Sequence, residues 1–445
     1  MTTIPQVSHA MQQVLTTAAE TADTKLHYTR RPDRAKFTAS TLTQTLVLGV
    51  LAHPDATVEQ LAQSAARVGV DVTAQAIDQR FTPATANLLQ QVLSASMHHL
   101  IASDGVAIPI LQRFSGVRIH DSTTIVLPDA LAEVWVGCGG TTPERTSAAL
   151  KCGVQLDLLT RALSGLDLAD GRASDHRLAV QHARLPKGSL RLADLGFYDL
   201  GVLASLSAAE VYWLSKLEPT AVISEASHSD CPLLAFVSAL GEVGQWEGQV
   251  WVGKGRRVRG RLLVMRVPQE VADGRRRRIR KSARDKGVTP SAAALALAAW
   301  TILLTNIPPD LLSLEEALVV AKVRWQIELL FKLWKSHGQL STWRTGKPER
   351  ILCEVYAKLL ALVLQHWVLV VSCWAYPDRS LVKAAQVVRD HAVELASARA
   401  RSDRLAEVLE TIQRVLTRTA RMNTRKKHPN TYQLLLALTT EPPQA

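Results

Sequence analysis

The chain of 445 residues is 47% hydrophobic and 21% charged, a composition that excludes wholesale disorder and supplies enough apolar side chains for large cores. Lys and Arg number 52 against 40 Asp and Glu, and the formal net charge of +12 favours an acidic polymer as partner. The five cysteines form no C-x-x-C pair and are odd in number, which argues against a zinc ribbon or a closed disulfide framework and indicates a reducing compartment.

The first hundred residues have the patterns of helices. Thr57 with Gln60 three positions later forms a capping box before VEQLAQSAARV, and VTAQAIDQRF follows after Gly69. Two short helices around a glycine-containing turn are typical of a helix-turn-helix, and equally of an ordinary helical bundle. The sequence leaves both interpretations open.

From Gly116 the pattern changes to strands. GVRIHDSTTIVLP ends at Pro128, and LKCGVQLDLL and RALSGLDLA follow as a predicted hairpin. A helix-like stretch near residues 175–183, the strand SLRLADLGF, a short helix over residues 199–206 and the strand VYWLSKL come next. This order predicts a mixed α/β core. Residues 219–300 interrupt the core with short strand-like pieces such as QVWVG and RLLVMRV.

Almost the whole excess of positive charge lies in that interruption. Between Trp251 and Pro290 the chain has fourteen Lys and Arg against three acidic residues, whereas residues 1–100 have seven of each sign. A lone basic run is usually a solvated face. Because a second cluster, KGRRVRGR, precedes the main run, we predict phosphate binding that adds affinity without sequence choice. The main run contains Arg275, Arg276, Arg277, Arg278, Arg280 and Lys281.

Long helices are predicted in the C-terminal part. Ser313 and Glu316 form a second capping box, which predicts one helix through Lys335. The apolar stretch over residues 359–375 approaches the length of a membrane span but has Gln365 and His366 at its centre, so we predict a buried helix. The N-terminus has no basic segment followed by an apolar run, so we expect no signal peptide.

Two aspartates are candidates for metal binding. Asp121 follows the apolar run VRIH and Asp194 follows LRLA, so we expect both at strand ends. Phosphodiester chemistry commonly uses two magnesium ions held by carboxylates, and a sheet fixes such side chains well. For either Asp alone, a role as strand-end cap or turn former is the more frequent one.

A charged stripe supplies the third candidate, Glu328. The helix that carries it is mostly apolar, yet at about 100° per residue four charged side chains share one narrow stripe. Such a stripe is typical of a helix that lines a polar cleft. A solvent-facing row of i,i+4 ion pairs explains it equally well. The stripe consists of Arg324, Glu328, Lys332 and Lys335.

These residues give the chain a resemblance to DDE transposases of the bacterial IS-four family, which also contains the transposon-five type. Three signatures match: DST...LP from Asp121, D-x-G-F-Y from Asp194, and R-W-x-I-E...F-K-x-x-K from Arg324. The last is highly specific, and either Asp motif alone is weak. The family usually has Tyr three residues before the Arg, where this chain has Ala321 and thus lacks one expected phosphate contact.

The resemblance implies an RNase H-like mixed-sheet core in which Asp121, Asp194 and Glu328 are catalytic and bind two Mg²⁺ ions, with Mn²⁺ as a substitute. Water would nick the transposon end, and the freed 3′-hydroxyl would attack the opposite strand or the target, through a hairpin intermediate as in transposon-five relatives. Arg324, together with Lys332 and Lys335, would bind phosphates near the scissile bond. The implied partners are the terminal inverted repeats and target DNA, with a homodimer in the synaptic complex and no membrane.

Trp300 has two interpretations. Flipped nucleotides stack on aromatic rings, and the resemblance places Trp300 near such a residue of the transposon-five type. The chain has ten tryptophans, so a core position is the alternative.

We predict five segments along the chain. These are a helical DNA-binding region (1–110), the first part of the RNase H-like core (111–218), a β-rich basic insertion (219–300), the second part of the core with the Glu helix (301–375), and a helical region for DNA binding or dimerisation (376–445). The expected location is the bacterial cytoplasm, at the nucleoid when DNA is bound. Two rival functions stay open: an RNase H-like nuclease without strand transfer, and a domesticated DNA-binding protein that no longer cleaves.

Overall fold

The computed structural model describes residues 2–29, 35–103, 108–139, 147–225, 230–241, 243–255, 257–285, 287–372, 378–399, 401–422 and 434. Its strands form a mixed sheet. In chain order they are β1 (Val117–Leu127), β2 (Ala148–Asp157), β3 (Leu163–Asp170), β4 (Leu190–Ala193), β5 (Tyr212–Lys216), β6 (Val222–Ser224), β7 (Cys231–Pro232), β8 (Gln245–Val252), β9 (Val258–Arg266) and β10 (Trp300–Thr305).

The α-helices occupy both terminal regions and the connections of the sheet. In chain order they are α1 (Ile4–Gln12), α2 (Ala19–Leu26), α3 (Ala39–Ala52), α4 (Val58–Arg67), α5 (Ala74–Asp78), α6 (Pro83–Ser96), α7 (Pro109–Gln112), α8 (Leu200–Ala208), α9 (Leu233–Ala239), α10 (Gln269–Asp285), α11 (Ala292–Leu297), α12 (Leu314–Val323), α13 (Trp325–Lys332), α14 (Pro348–Ser372), α15 (Leu381–Asp390), α16 (Ala392–Ala398) and α17 (Ser402–Arg418). Two turns, Gln13–Ala18 and Leu333–His337, are π-helical.

The chain divides into two compact units, each assembled from three segments. The first unit contains Met1–Ala107, Ser122–Ala173 and Trp325–Tyr432. The second contains Ile108–Asp121, Ser174–Arg324 and Gln433–Ala445. One division therefore falls inside β1 and another between α12 and α13.

The first unit is built around α14. This helix packs against α3, α6 and α17, while α1 packs against α17. Among the described helices, α14 is the one long and apolar enough to cross a membrane, but 94% of its apolar window is buried inside the protein. Its central polar residues have partners: Gln365 Nε2 donates to Ala385 O at 3.2 Å, and His366 Nε2 donates to Arg161 O at 2.8 Å. The prediction of a buried helix is confirmed as far as Ser372, and residues 373–375 of the predicted stretch lie outside the described residues.

Smaller elements of the first unit also follow the sequence. β2 and β3 form the predicted antiparallel hairpin, with β2 next to β1 in the sheet. The capping box at α4 is present, since the Thr57 amide donates to Gln60 Oε1 at 2.9 Å and the Gln60 amide donates to Thr57 Oγ1 at 3.2 Å. After α4 comes α5, which has only five residues. DNA recognition by this helix pair stays a prediction.

In the second unit the strands run in the order β1-β4-β5-β10-β9-β8-β6-β7. β1, β4 and β5 are parallel, and β5 pairs antiparallel with β10. The hairpin β2–β3 followed by parallel β1, β4 and β5 is consistent with an RNase H-like core. The strands from residues 219–300 do not form a separate sheet, because β10 and β9 continue the ladder beyond β5.

The interruption of the core contains helices as well as strands. Four strands, β6 to β9, lie within residues 219–300, together with α9, α10 and α11. Their apolar side chains join Trp213 of β5 and Leu304 of β10 in one buried cluster that includes Val250 and Leu262. The main basic run lies in α10, a helix of 17 residues.

The helix predicted from Ser313 to Lys335 is interrupted. Its capping box is present: the Ser313 amide donates to Glu316 Oε2 at 2.9 Å, and the Glu316 amide donates to Ser313 Oγ at 3.2 Å. However, α12 ends at Val323 and α13 begins at Trp325, so Arg324 lies between two helices.

Candidate active site

Asp121 and Asp194 lie where two neighbouring parallel strands part. Asp194 directly follows β4, as predicted. The prediction of a strand end was wrong for Asp121, which is the fifth residue of the eleven-residue β1. The strand continues because β2 neighbours its other edge. Its pairing with β4 nevertheless stops at His120 opposite Ala193, so Asp121 is the first residue of β1 beyond that partner.

The turn after β4 does not explain the Asp194 carboxylate. Asp194 occupies the N-cap position of a short 3₁₀ turn, Leu195–Phe197, yet its side chain makes no capping hydrogen bond. Within the turn, a Cβ at Gly196 would meet Asp175 Oδ2 at 2.2 Å, so the Asp175 side chain would have to move to admit any other residue. An Asp at this place more commonly caps or forms a turn. Neither role explains the position of the Asp194 side chain.

Arg324 brings the two carboxylates together. Its Nη1 donates to Asp121 Oδ2 at 2.7 Å, and its Nη2 lies 3.6 Å from Asp194 Oδ1. The side chains of Arg324 and Asp121 are 18% and 12% exposed, and that of Asp194 is 44% exposed. A charge-assisted hydrogen bond of 2.7 Å, such as that from Arg324 to Asp121, is stronger than a hydrogen bond between neutral groups. A purely solvent-facing row of charges is therefore excluded for Arg324, and the interruption between α12 and α13 falls at the residue that makes these contacts.

One buried cation on β4, Arg191, was not identified from the sequence. Arg191 on β4 is 3% exposed, and its Nε donates to His120 Nδ1 at 3.3 Å. Its Nη2 donates to Gln181 Oε1 at 2.5 Å, and Gln181 Nε2 donates to Phe197 O at 3.1 Å. Burial lowers the pKa of Arg191 to about 10, so the side chain stays charged at neutral pH. These bonds join β1, β4 and the turn after Asp194. In the sequence, the presence of a charged residue inside the apolar run LRLA was the feature that could have indicated this role.

The remaining members of the charged stripe lie in the first unit. Glu328 on α13 is half-buried and Lys332 is exposed. Lys335 lies in the π-helical turn after α13, where burial lowers its pKa. Their approach to the two aspartates stays a prediction.

The two aspartates fit a divalent cation. Their oxygens Oδ2 and Oδ1 already face one positively charged group, and carboxylate oxygens are the ligands that Mg²⁺ prefers. Across the described residues, no group of three or more His, Cys, Asp and Glu side chains stands ready to hold a metal ion. Two carboxylates that face one guanidinium are thus the arrangement in this structure.

Trp300 begins β10 and is half-buried against the apolar cluster of the second unit. The Arg266 guanidinium lies over its ring, 5.7 Å from the centroid. This packing favours the core interpretation. Stacking on a flipped base stays a prediction.

The basic run on α10 divides into anchoring and exposed cations. Arg275 donates to Trp300 O at 2.7 Å and to Thr301 Oγ1 at 2.9 Å, and burial lowers its pKa. Arg276 donates to Asp273 Oδ1 at 2.8 Å and to Leu295 O at 3.2 Å. The exposed cations of the run are Arg277, Arg278, Arg280 and Lys281.

The preceding basic cluster divides in the same way. Arg261 is 2% exposed and bonds to Glu247 Oε1 at 2.6 Å and to Leu312 O at 2.7 Å. Lys254, Arg257 and Arg259 are exposed. Part of the positive charge in this segment therefore stabilises the fold, and the other part faces solvent.

Comparisons with known proteins agree on one family. The family model described as "Transposase DDE domain" matches residues 112–364, a range that contains Asp121, Asp194, Arg324 and Glu328. The chain is 26% identical over 331 residues to "Transposase for insertion sequence element IS231E" of Bacillus thuringiensis subsp. finitimus, covering 70% of this chain and 68% of that protein. It is 23% identical over 326 residues to "Transposase for insertion sequence element IS1151" of Clostridium perfringens, covering 67% and 66%. A shorter match, 36% over 104 residues, is to "Putative transposase InsL for insertion sequence element IS186A" of Escherichia coli (strain K12), covering 23% and 28%.

Proposed function

Because the chain belongs to the DDE transposases, of the IS-four family, we propose that Asp121, Asp194 and Glu328 are the catalytic residues of this enzyme and hold its metal ions. The observation that carries the proposal is the placement of Asp121 and Asp194 around one cation at the point where β1 and β4 part. Glu328 enters through the family signature, four residues after Arg324.

The proposed metal is Mg²⁺, as two ions, with Mn²⁺ as a substitute. When bound, such ions activate an attacking water or hydroxyl and stabilise the leaving oxygen. The chain's own part is to fix the ligands. The ladder between β1 and β4 sets the spacing of the two aspartates, and the buried Arg191 holds His120 and the turn that follows Asp194.

Cationic side chains are proposed to position the DNA. Arg324, Lys332 and Lys335 would bind phosphates next to the scissile bond, where negative charge develops. Ala321 lacks the hydroxyl that the family usually has at this position, so these cations would make a larger share of the phosphate contacts. The exposed cations of α10 would bind phosphates, and such contacts add affinity without reading the base sequence.

The proposed substrates are the ends of an insertion sequence and the target DNA. The relatives are named for insertion sequence elements, and transposition requires both strand cleavage and strand transfer. We further propose terminal inverted repeats as the binding sites, a hairpin intermediate, a homodimer in the synaptic complex and action at the bacterial nucleoid. The N-terminal and C-terminal helical regions are the proposed places for end recognition and dimerisation.

A product analysis tests this function. The protein would be incubated with labelled element ends and a target plasmid in Mg²⁺ or Mn²⁺, and nicked, hairpin and joined products would be separated on a denaturing gel. Transposase activity predicts metal-dependent nicks and joined products that disappear in Asp121→Asn and Asp194→Asn. Nicks without joined products would favour a nuclease, and binding without nicks a domesticated DNA-binding protein.

A further inference from the structure

The position of Arg324 between the two aspartates has a consequence for metal binding. The guanidinium makes a 2.7 Å bond to Asp121 Oδ2 and lies 3.6 Å from Asp194 Oδ1. A Mg²⁺ ion bound to both carboxylates requires oxygens at about 2.0–2.1 Å. An ion held by both carboxylates would therefore compete with the guanidinium for the side chains that now face it.

Loss of a proton cannot remove the conflict, because an arginine side chain is not deprotonated in proteins. A positively charged guanidinium and a divalent ion also repel each other, and the partial burial of Arg324 and Asp121 reduces the screening by solvent. The side chain must therefore leave the carboxylates when the ion arrives. Arginine is well suited to both positions, since its planar fork binds carboxylate and phosphate alike.

We infer that Arg324 is the built-in counterion of the metal site: it competes with the divalent ion for Asp121 and Asp194, and ion binding releases it towards a DNA phosphate. This inference rests on the proposed metal site. It makes Arg324 a residue that sets metal affinity, in addition to its proposed contact with DNA.

Metal and DNA are then coupled through one side chain. A phosphate that binds Arg324 frees the carboxylates for the ion, and an ion that binds the carboxylates frees Arg324 for the phosphate. Such coupling is reciprocal, so DNA should raise the metal affinity by the same factor by which metal raises the affinity for DNA. The metal site is thereby kept weak until DNA is present.

Titration of the full chain with Mn²⁺ without DNA tests the inference, with free Mn²⁺ followed by its paramagnetic resonance signal. Arg324→Gln is expected to bind the ion about tenfold more tightly than the unaltered protein, equivalent to about 1.4 kcal/mol. The matched control is Lys322→Gln, which removes one positive charge from an exposed position two residues earlier and should leave the affinity unchanged. Asp121→Asn should lose the Mn²⁺ site.

Thermal unfolding provides a second readout. Ligand binding to the folded state stabilises it by RT ln(1 + [L]/Kd), so at one ligand concentration the tighter-binding variant shows the larger rise in melting temperature. Without metal, Arg324→Gln should melt lower than the unaltered protein because the two carboxylates lose their counterion, and Mn²⁺ should produce the larger rise in this variant. Addition of a short DNA duplex should increase Mn²⁺ affinity more in the unaltered protein than in Arg324→Gln.

The outcomes distinguish a failure of the counterion role of Arg324 from a failure of the metal site itself. Equal or weaker Mn²⁺ binding by a folded Arg324→Gln would overturn the counterion role while leaving the metal site in place. An equal gain in Lys322→Gln would also overturn it, because the effect would then be one of net charge. If neither the unaltered protein nor Arg324→Gln binds Mn²⁺ at a site that Asp121→Asn removes, the assignment of Asp121 as a metal ligand in the proposed function fails.

Discussion

Replacing the four exposed cations of α10 with Gln should weaken binding to every DNA sequence by a similar factor. The altered residues are Arg277, Arg278, Arg280 and Lys281. Each phosphate contact contributes about 0.9 to the slope of log affinity against log salt, so up to four lost contacts lower the slope by up to about 3.6. Each contact therefore contributes about a 3.5-fold fall in affinity when the salt concentration rises from about 50 to about 200 mM.

Arg275→Gln is the matched control within the same run. This residue bonds to Trp300 O and Thr301 Oγ1 and is half-buried, so its loss should lower the free energy of unfolding by about 2 kcal/mol. The salt slope should stay unchanged. The assay is fluorescence anisotropy with two unrelated duplexes over a series of salt concentrations, together with urea unfolding of each variant.

Two results would refute this division of α10. A fall in affinity for one duplex only would show that the exposed face reads sequence. A larger change of salt slope in Arg275→Gln than in the quadruple variant would show that the anchoring and exposed roles are reversed.

Two further predictions concern buried titratable side chains. Arg191→Met should lower the free energy of unfolding by about 2–4 kcal/mol, since His120 and Gln181 each lose a buried partner; urea unfolding would measure it, and an unchanged midpoint would contradict the role of this network. Burial lowers the pKa of His366 from 6.5 to about 4, so the unfolded chain takes up a proton below pH 6.5 that the folded chain resists. Stability should therefore fall by about 3 kcal/mol as pH drops from 6.5 to 4. His366→Gln should remove this part of the pH dependence, and an identical pH profile in the variant would refute the assignment.

Local signals in the sequence were sufficient for most elements. The β-branched run around Ile119 predicted β1, and the capping boxes at Thr57 and Ser313 predicted the starts of α4 and α12. These features depend on neighbours within a few residues, so a single sequence contains what determines them.

Features that depend on distant partners were not predictable. Asp121 is accessible to the Arg324 guanidinium because β4 ends before β1 does. The length of this partner strand cannot be predicted from the sequence of β1 itself. Similarly, Arg275 and Arg277 look alike in the sequence, and only the position of β10 makes the former an anchor. The bond between Arg324 and Asp121 joins residues that are 203 positions apart.

If Asp121, Asp194 and Glu328 together hold the catalytic metal, removal of the Glu328 carboxylate should prevent cleavage. Nicking of labelled element ends in Mg²⁺ would be compared for the unaltered protein, Glu328→Gln and Glu349→Gln, the last being an exposed glutamate at the start of α14. Glu328→Gln should lose at least about 100-fold of the nicking rate while still binding the ends, because a metal ligand is removed. Glu349→Gln should cleave normally. Equal cleavage by Glu328→Gln and the unaltered protein would show that Glu328 does not hold the catalytic metal.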